Sequence, residues 1–193
     1  MTGAARGERL PEWQVATWFN TDTAPTLAGL RGKVVVVEAF QMLCPGCVSH
    51  GLPQAQRVRV AFAPERVAVI GLHSVFEHHA AMTPVALAAF LHEYRIDFPV
   101  AVDAHDGDDP RPATFRAWHL AGTPSLLVLD AEGRLRLRAF GQVDDLRLGA
   151  LLGGLLAEAG ASGPGQAGGG PGQGAAPAAG SDCSEMACPR PSD

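Results

Sequence analysis

The chain predicts an α/β domain with a central mixed β-sheet flanked by helices, and three observations carry that expectation. Apolar β-branched runs alternate with helix-forming segments. One of those runs leads straight into Cys44-Pro45-Gly46-Cys47, and two late apolar runs are joined by the turn Asp130-Ala131-Glu132-Gly133. Alternation of this kind implies right-handed βαβ units with parallel strands, to which a terminal hairpin adds antiparallel ones.

Val34 to Val37 follow the turn signal Gly29-Leu30-Arg31-Gly32 and predict a strand buried on both faces. Val48 to Arg59 has mixed helical character, with Gly51 and Pro53 implying a bend or break in the early turns. Val67 to Leu72 is a second buried strand. Thr83-Pro84 opens a helix, with Thr83 as N-cap and Pro84 at the first helical position, running to about Tyr94. Phe98 to Val102 is a short strand, Asp103 to Asp109 a loop, and Ala113 to Leu120 a helix. Ser125 to Leu129 and Leu135 to Phe140 form the hairpin, with Gly133 supplying a positive φ, and Asp144 to Glu158 is the closing helix.

The domain is therefore expected over 1–160. From Ala161 to Gly180 only Ala, Ser, Gly, Pro and Gln occur, a composition that builds no core and predicts a disordered tail over 161–193. At 193 residues, 47% of them hydrophobic, the chain suits one well-buried core plus extras. A formal charge of -5 without a basic stripe argues against nucleic acid as a partner. Residues 1–20 lack a signal-peptide core and no segment has the length of a membrane span, so the expected location is cytoplasmic, away from membranes. The four cysteines fall into the local pairs Cys44/Cys47 and Cys183/Cys188, too few and too local for a disulfide-stapled scaffold. Redox or metal chemistry is the expected use.

Two thiols three residues apart on a helix's first turn can close a disulfide. There the sulfur of Cys44 faces unpaired backbone N–H groups and the positive end of the helix dipole, which stabilise a thiolate. A Cys-X-X-Cys pair is also half of a zinc knuckle. The strand, the Cys-X-X-Cys helix start and Gly122-Thr123-Pro124-Ser125 entering the hairpin together resemble the thioredoxin superfamily, over about residues 10–158. The lead-in Leu27 to Val36 and an extra strand-helix insertion between dithiol and hairpin resemble its TlpA-like and AhpC/TSA-type redoxin branch.

The resemblance implies a thioredoxin-like fold and a thiol-disulfide oxidoreductase that needs no bound organic cofactor. Cys44 would be the exposed nucleophile and Cys47 the buried resolving thiol. Pro124 matches the family's cis-proline, leaving the backbone of Thr123 for a bound substrate chain. Glu38, six positions before Cys44, matches a buried acid that shuttles a proton for the resolving cysteine. Pro45, Thr123 and Phe40 are the expected substrate-contacting residues, with Phe40 and Met42 as an apolar docking surface. The partner would be a disulfide-containing protein or a thioredoxin-like reductant. Two departures, Leu43 in place of a usual Trp and Pro-Gly in place of Gly-Pro, keep redox potential and partner choice from carrying over.

Other readings remain open at this level. A peroxiredoxin-like peroxidase would oxidise Cys44 to a sulfenic acid with a hydroperoxide, although Gln41 stands where that family places Thr. A thiol metal-binding module would use either cysteine pair. Cys183 and Cys188, with Met186 between them, suit an electron shuttle, a soft metal ion, or an unstructured end whose thiols have no role. A flexible coil from Gly160 to Cys183 spans roughly 25 Å, enough to reach a domain with a radius of gyration of about 15 Å. His73, His78 and His79 are expected as polar loop residues, with His73 alternatively lining a substrate groove. Asp103, Asp106, Asp108 and Asp109 are expected in a solvated loop without a calcium ligand set. Trp13, Trp18, Phe19 and Phe40 are expected as core or rim packing, the docking surface being the alternative for Phe40.

Overall fold

The computed structural model describes residues 7–161. Among them six strands, β1 (Val15–Phe19), β2 (Val34–Phe40), β3 (Val67–His73), β4 (Val100–Asp103), β5 (Ser125–Leu129) and β6 (Leu135–Phe140), form one sheet in the order β1-β4-β3-β2-β5-β6. Strands β2, β3 and β4 are parallel, while β1, β5 and β6 each run antiparallel to a neighbour. The helices are α1 (Leu52–Ala61), α2 (Pro84–Glu93), α3 (Ala113–Ala117) and α4 (Asp145–Ala161).

Strand β2 lies inside the sheet, and all seven of its residues are buried. Alternation sends Val34, Val36 and Phe40 into a core shared with Leu52 and Val58 of α1, Leu87 and Leu91 of α2, and Leu148, Leu152 and Leu155 of α4. Val35, Val37 and Ala39 enter the opposite core with Phe115, Trp118 and Trp13. Helices on both faces explain why this strand is apolar throughout instead of alternating. The strand ends at the layer where α1 begins, which delivers the dithiol to one edge of the sheet.

The Gly51/Pro53 irregularity takes the form of a π-helical turn, Cys47–Gly51, leading into α1. Pro53 has no N–H for the helical ladder and its ring crowds the carbonyl of Ser49, so the turn widens there. Thr83 caps α2 by accepting from the N–H of Ala86 at 3.3 Å. The β5–β6 hairpin turns at Gly133, whose φ is 69°.

Several expectations need correction. Strand β1 went unseen because it is a half-exposed edge with a bulge between Val15 and Thr17, and it lacks a clean alternation. Helix α3 stops at Ala117, well before Leu120. His119 turns to φ 51°, and Leu120 donates back to the Phe115 carbonyl at 3.0 Å. Strand β4 begins at Val100, after Pro99, and ends on Asp103, which is therefore not a loop residue. Helix α4 begins after Asp144, whose carboxylate accepts from Arg147 N–H at 3.0 Å, and runs to Ala161, so Ala161 is helical. The expected linker beyond it, together with Cys183, Cys188 and Met186, lies outside the described residues. No helix among the described residues is long and apolar enough to cross a membrane.

Candidate active site

From β2 the chain passes through Gln41, Met42 and Leu43 to Cys44, whose N–H donates to Gln41 O at 3.2 Å. Cys44 is half-buried and Cys47 fully buried, and both are reduced. The Cys47 N–H donates to the Cys44 sulfur at 3.2 Å, an interaction that strengthens when the sulfur is ionised. In the thiol state Cys44 donates to Thr123 O at 3.4 Å. Burial, then the hydrogen bond with Cys44, pushes the Cys47 thiol well up, so one sulfur is accessible and the other is held protonated.

The Thr123–Pro124 peptide is cis. Pro124 packs against the dithiol helix where that helix has no side chains. A Cβ on Gly46 would stand 3.2 Å from Pro124 Cδ, and one on Gly51 would stand 3.1 Å from Pro124 Cβ. Gly51 also admits Glu38. A Cβ there would overlap Glu38 Oε1 and lie 2.9 Å from its Cδ. Glu38 is 1% exposed, and its Oε1 has no hydrogen-bond partner among the described residues. Burial, with the charge of Cys44 adding to it, holds its carboxyl well above the ordinary range.

One solved structure, described as a thioredoxin-like superfamily protein, is 59% identical and covers 79% of this chain and 97% of its own, with a TM-score of 0.75. The chain belongs to the thioredoxin-like superfamily. A thiol-disulfide isomerase from Corynebacterium glutamicum is 54% identical, covering 76% of this chain and 95% of its own, with a TM-score of 0.73. The thioredoxin domain of a thiol-disulfide oxidoreductase from Bacteroides vulgatus shares the fold of this thioredoxin-like chain at 16% identity, covering 77% of it and 97% of its own length, with a TM-score of 0.60. No family model and no curated protein matches the sequence.

Within this thioredoxin-like site the structure brings together Cys44, Cys47, Glu38, Thr123 and Pro124. Pro45 is exposed beside Cys44. Phe40 takes the core placement, and its expected substrate contact must be corrected. It is fully buried, with its ring centroid 5.2 Å from that of His73 and 6.3 Å from that of Phe90, because its position on β2 faces the helices. Met42 is buried too, so neither supplies a docking surface. The exposed apolar groups at this edge are Leu43, at 56%, and Phe140, at 64%. Phe140 lies over Gly122, where a Cβ would come within 2.7 Å of its ring. Sequence reasoning missed Phe140, since its position in a hairpin strand says nothing about which loop it covers.

His73 is neither a loop residue nor a groove lining. It is 1% exposed at the end of β3, its Nε2 has no partner among the described residues, and burial lowers its pKa to about 4. His78 and His79 are exposed. Asp103 is buried rather than solvated. It accepts from Thr114 N–H at 2.8 Å, Phe115 N–H at 2.9 Å and Ser74 Oγ at 2.9 Å, tying the start of α3 to the sheet. Among the described residues no three His, Cys, Asp or Glu side chains converge as a metal site would require.

Proposed function

We propose that this protein is a thiol-disulfide oxidoreductase in which Cys44 attacks the disulfide of a protein substrate and Cys47 resolves the product. The observation that carries the reading is the asymmetry of the pair. Cys44 is accessible and receives the Cys47 N–H at 3.2 Å, while Cys47 is fully buried with its thiol pushed up. A 54% identical neighbour described as a thiol-disulfide isomerase supports the same class of chemistry.

The Cys44 thiolate attacks one substrate sulfur, forming a mixed disulfide and releasing the other sulfur as a thiolate. Cys47 then passes its proton to the Glu38 carboxylate and attacks the Cys44 sulfur. The Cys44–Cys47 bond forms, the bond to substrate breaks, and the electron pair leaves on the substrate sulfur, which takes a proton from water. The protein dithiol is oxidised by two electrons and the substrate disulfide is reduced. Once Cys44 is in the mixed disulfide it carries no charge, so one of the two influences holding the Glu38 carboxyl up is gone and the carboxylate forms more readily. Leu43, Pro45 and Phe140 form the apolar rim against which the substrate chain rests, beside the backbone of Thr123. The reaction needs no bound organic cofactor, and a thioredoxin-like donor in the cytoplasm would restore the dithiol.

The test is trapping. Cys47→Ser should accumulate a mixed disulfide with a disulfide-bonded protein substrate, and Cys44→Ser should form none. Equal adducts through Cys47 in the Cys44→Ser protein would sink the assigned order.

A further inference from the structure

Glu38 is buried, yet it forms part of the wall of a cleft of about 200 Å³ between the dithiol helix and the loop from Gly141 to Asp145. The side chain that would separate the two is missing at Gly51, where any Cβ would overlap the carboxyl. Leu43, Cys44, Pro45 and Thr123 contribute nothing to this cleft. It therefore opens Glu38 on a side different from the one a docked substrate covers.

The titratable and charged groups along the cleft are Glu38 from β2, His50 from the π-helical turn, Arg57 from α1, and Asp144 and Asp145 at the start of α4. Most are engaged in holding the walls. Asp144 caps Arg147, and Asp145 accepts from Gln54 at 2.6 Å and from Arg57 at 3.1 Å. His50 is exposed, and its Nδ1 lies 2.7 Å from Ser49 Oγ. The Ser49 hydroxyl spends its one proton on the Pro45 carbonyl, at 2.7 Å, which can only accept. Nδ1 must then be the donor to Ser49 Oγ, so a neutral His50 ring carries its lone pair on Nε2. Imidazole is the side chain suited to taking and returning protons near neutral pH.

Resting on the oxidoreductase reading above, we propose that His50 relays protons between Glu38 and solvent through this cleft, so that the acid is reset while substrate still covers Cys44. Before Cys47 attacks, the proton held on the Glu38 carboxyl leaves through water in the cleft, is taken up on His50 Nε2 and passes to bulk solvent, which frees the carboxylate to accept the Cys47 proton. Ser49 acts as a positioning residue that fixes the ring and its tautomer.

The experiment is a stopped-flow reaction of the reduced full-length protein, carrying Cys183→Ser and Cys188→Ser so that only the dithiol reacts, with dithiobis(nitrobenzoate); the first release of thionitrobenzoate reports attack and the second reports resolution. His50→Ala should slow the second phase about tenfold, less than the roughly 10²-fold attributable to the acid itself. Added imidazole should restore it, and Ser49→Ala should show a smaller loss. In a Glu38→Gln background neither His50→Ala nor imidazole should matter. A second phase of wild-type rate in His50→Ala, a loss that imidazole does not restore, or a His50 effect that persists in Glu38→Gln would overturn the relay. Absence of any second phase in the wild-type protein would instead overturn the oxidoreductase reading.

Discussion

Two buried acids stand in the last residues of β2 and β4, parallel strands separated by β3, and their surroundings could hardly differ more. Asp103, at the end of β4, is met by two backbone N–H groups and a hydroxyl, all within 2.9 Å. Glu38, in β2, has an oxygen without a partner among the described residues and a glycine for its nearest wall. Burial raises the pKa of both, but hydrogen bonds pull Asp103 back down, whereas the charge of Cys44 pushes Glu38 further up. A satisfied buried acid holds structure. An unsatisfied one beside the dithiol is, on the proposed mechanism, placed to move a proton.

That contrast can be broken by substitution. Asp103→Ala strands two backbone donors and a hydroxyl, and should cost about 3–5 kcal/mol in chemical denaturation while dithiol kinetics persist. His73 is a third buried group and sharpens the comparison through pH. Its pKa falls from the ordinary 6.5 to about 4 in the folded protein. The unfolded chain therefore takes up the proton first, and stability should fall by roughly 3 kcal/mol as pH drops through that window. Comparing urea midpoints of wild type and His73→Leu at pH 7 and pH 4 isolates the contribution, which should vanish in the variant.

Glu38→Gln should do the reverse of Asp103→Ala, slowing resolution of a mixed disulfide by roughly 10²-fold with no loss of thermal stability. Rapid-quench trapping of the intermediate measures the rate. The smallest expected effect is that of Gly51→Ala, whose methyl group overlaps the Glu38 carboxyl and should destabilise by about 1–3 kcal/mol. Glu38→Ala should relieve that penalty in a double-mutant cycle. Additive losses would mean that the two groups do not press on one another.

The same pair shows what the sequence makes legible. Glu38 stood out because it interrupts an apolar strand at a fixed distance before Cys44, and the strand itself was plain from four consecutive valines. The hairpin was equally plain, since Gly133 supplies the positive φ that its turn needs. Asp103 was hidden inside an acidic stretch, because the donors that define it come from Ser74 and from the start of α3, none of them adjacent in sequence. For Phe40 the alternation of β2 decides between core and docking surface. Phe40 shares parity with Val34 and Val36 and so faces the helices, not the substrate edge. Gly51 was seen only as a helix irregularity, and its second role depends on a side chain from another element. Strand β1 left too weak a pattern to see, as half-exposed edge strands do.

The central claim is that Cys44 attacks disulfides and Cys47 resolves them, and stopped-flow oxidation of the reduced protein tests it most directly. Wild type, Cys44→Ser and a truncation lacking residues 162–193 are each mixed with a small disulfide or with hydrogen peroxide. The account predicts rapid exchange with the disulfide, lost in Cys44→Ser and kept in the truncation, with slow reaction toward peroxide. Rapid peroxide consumption that depends on Cys44, with sluggish disulfide exchange, would contradict it.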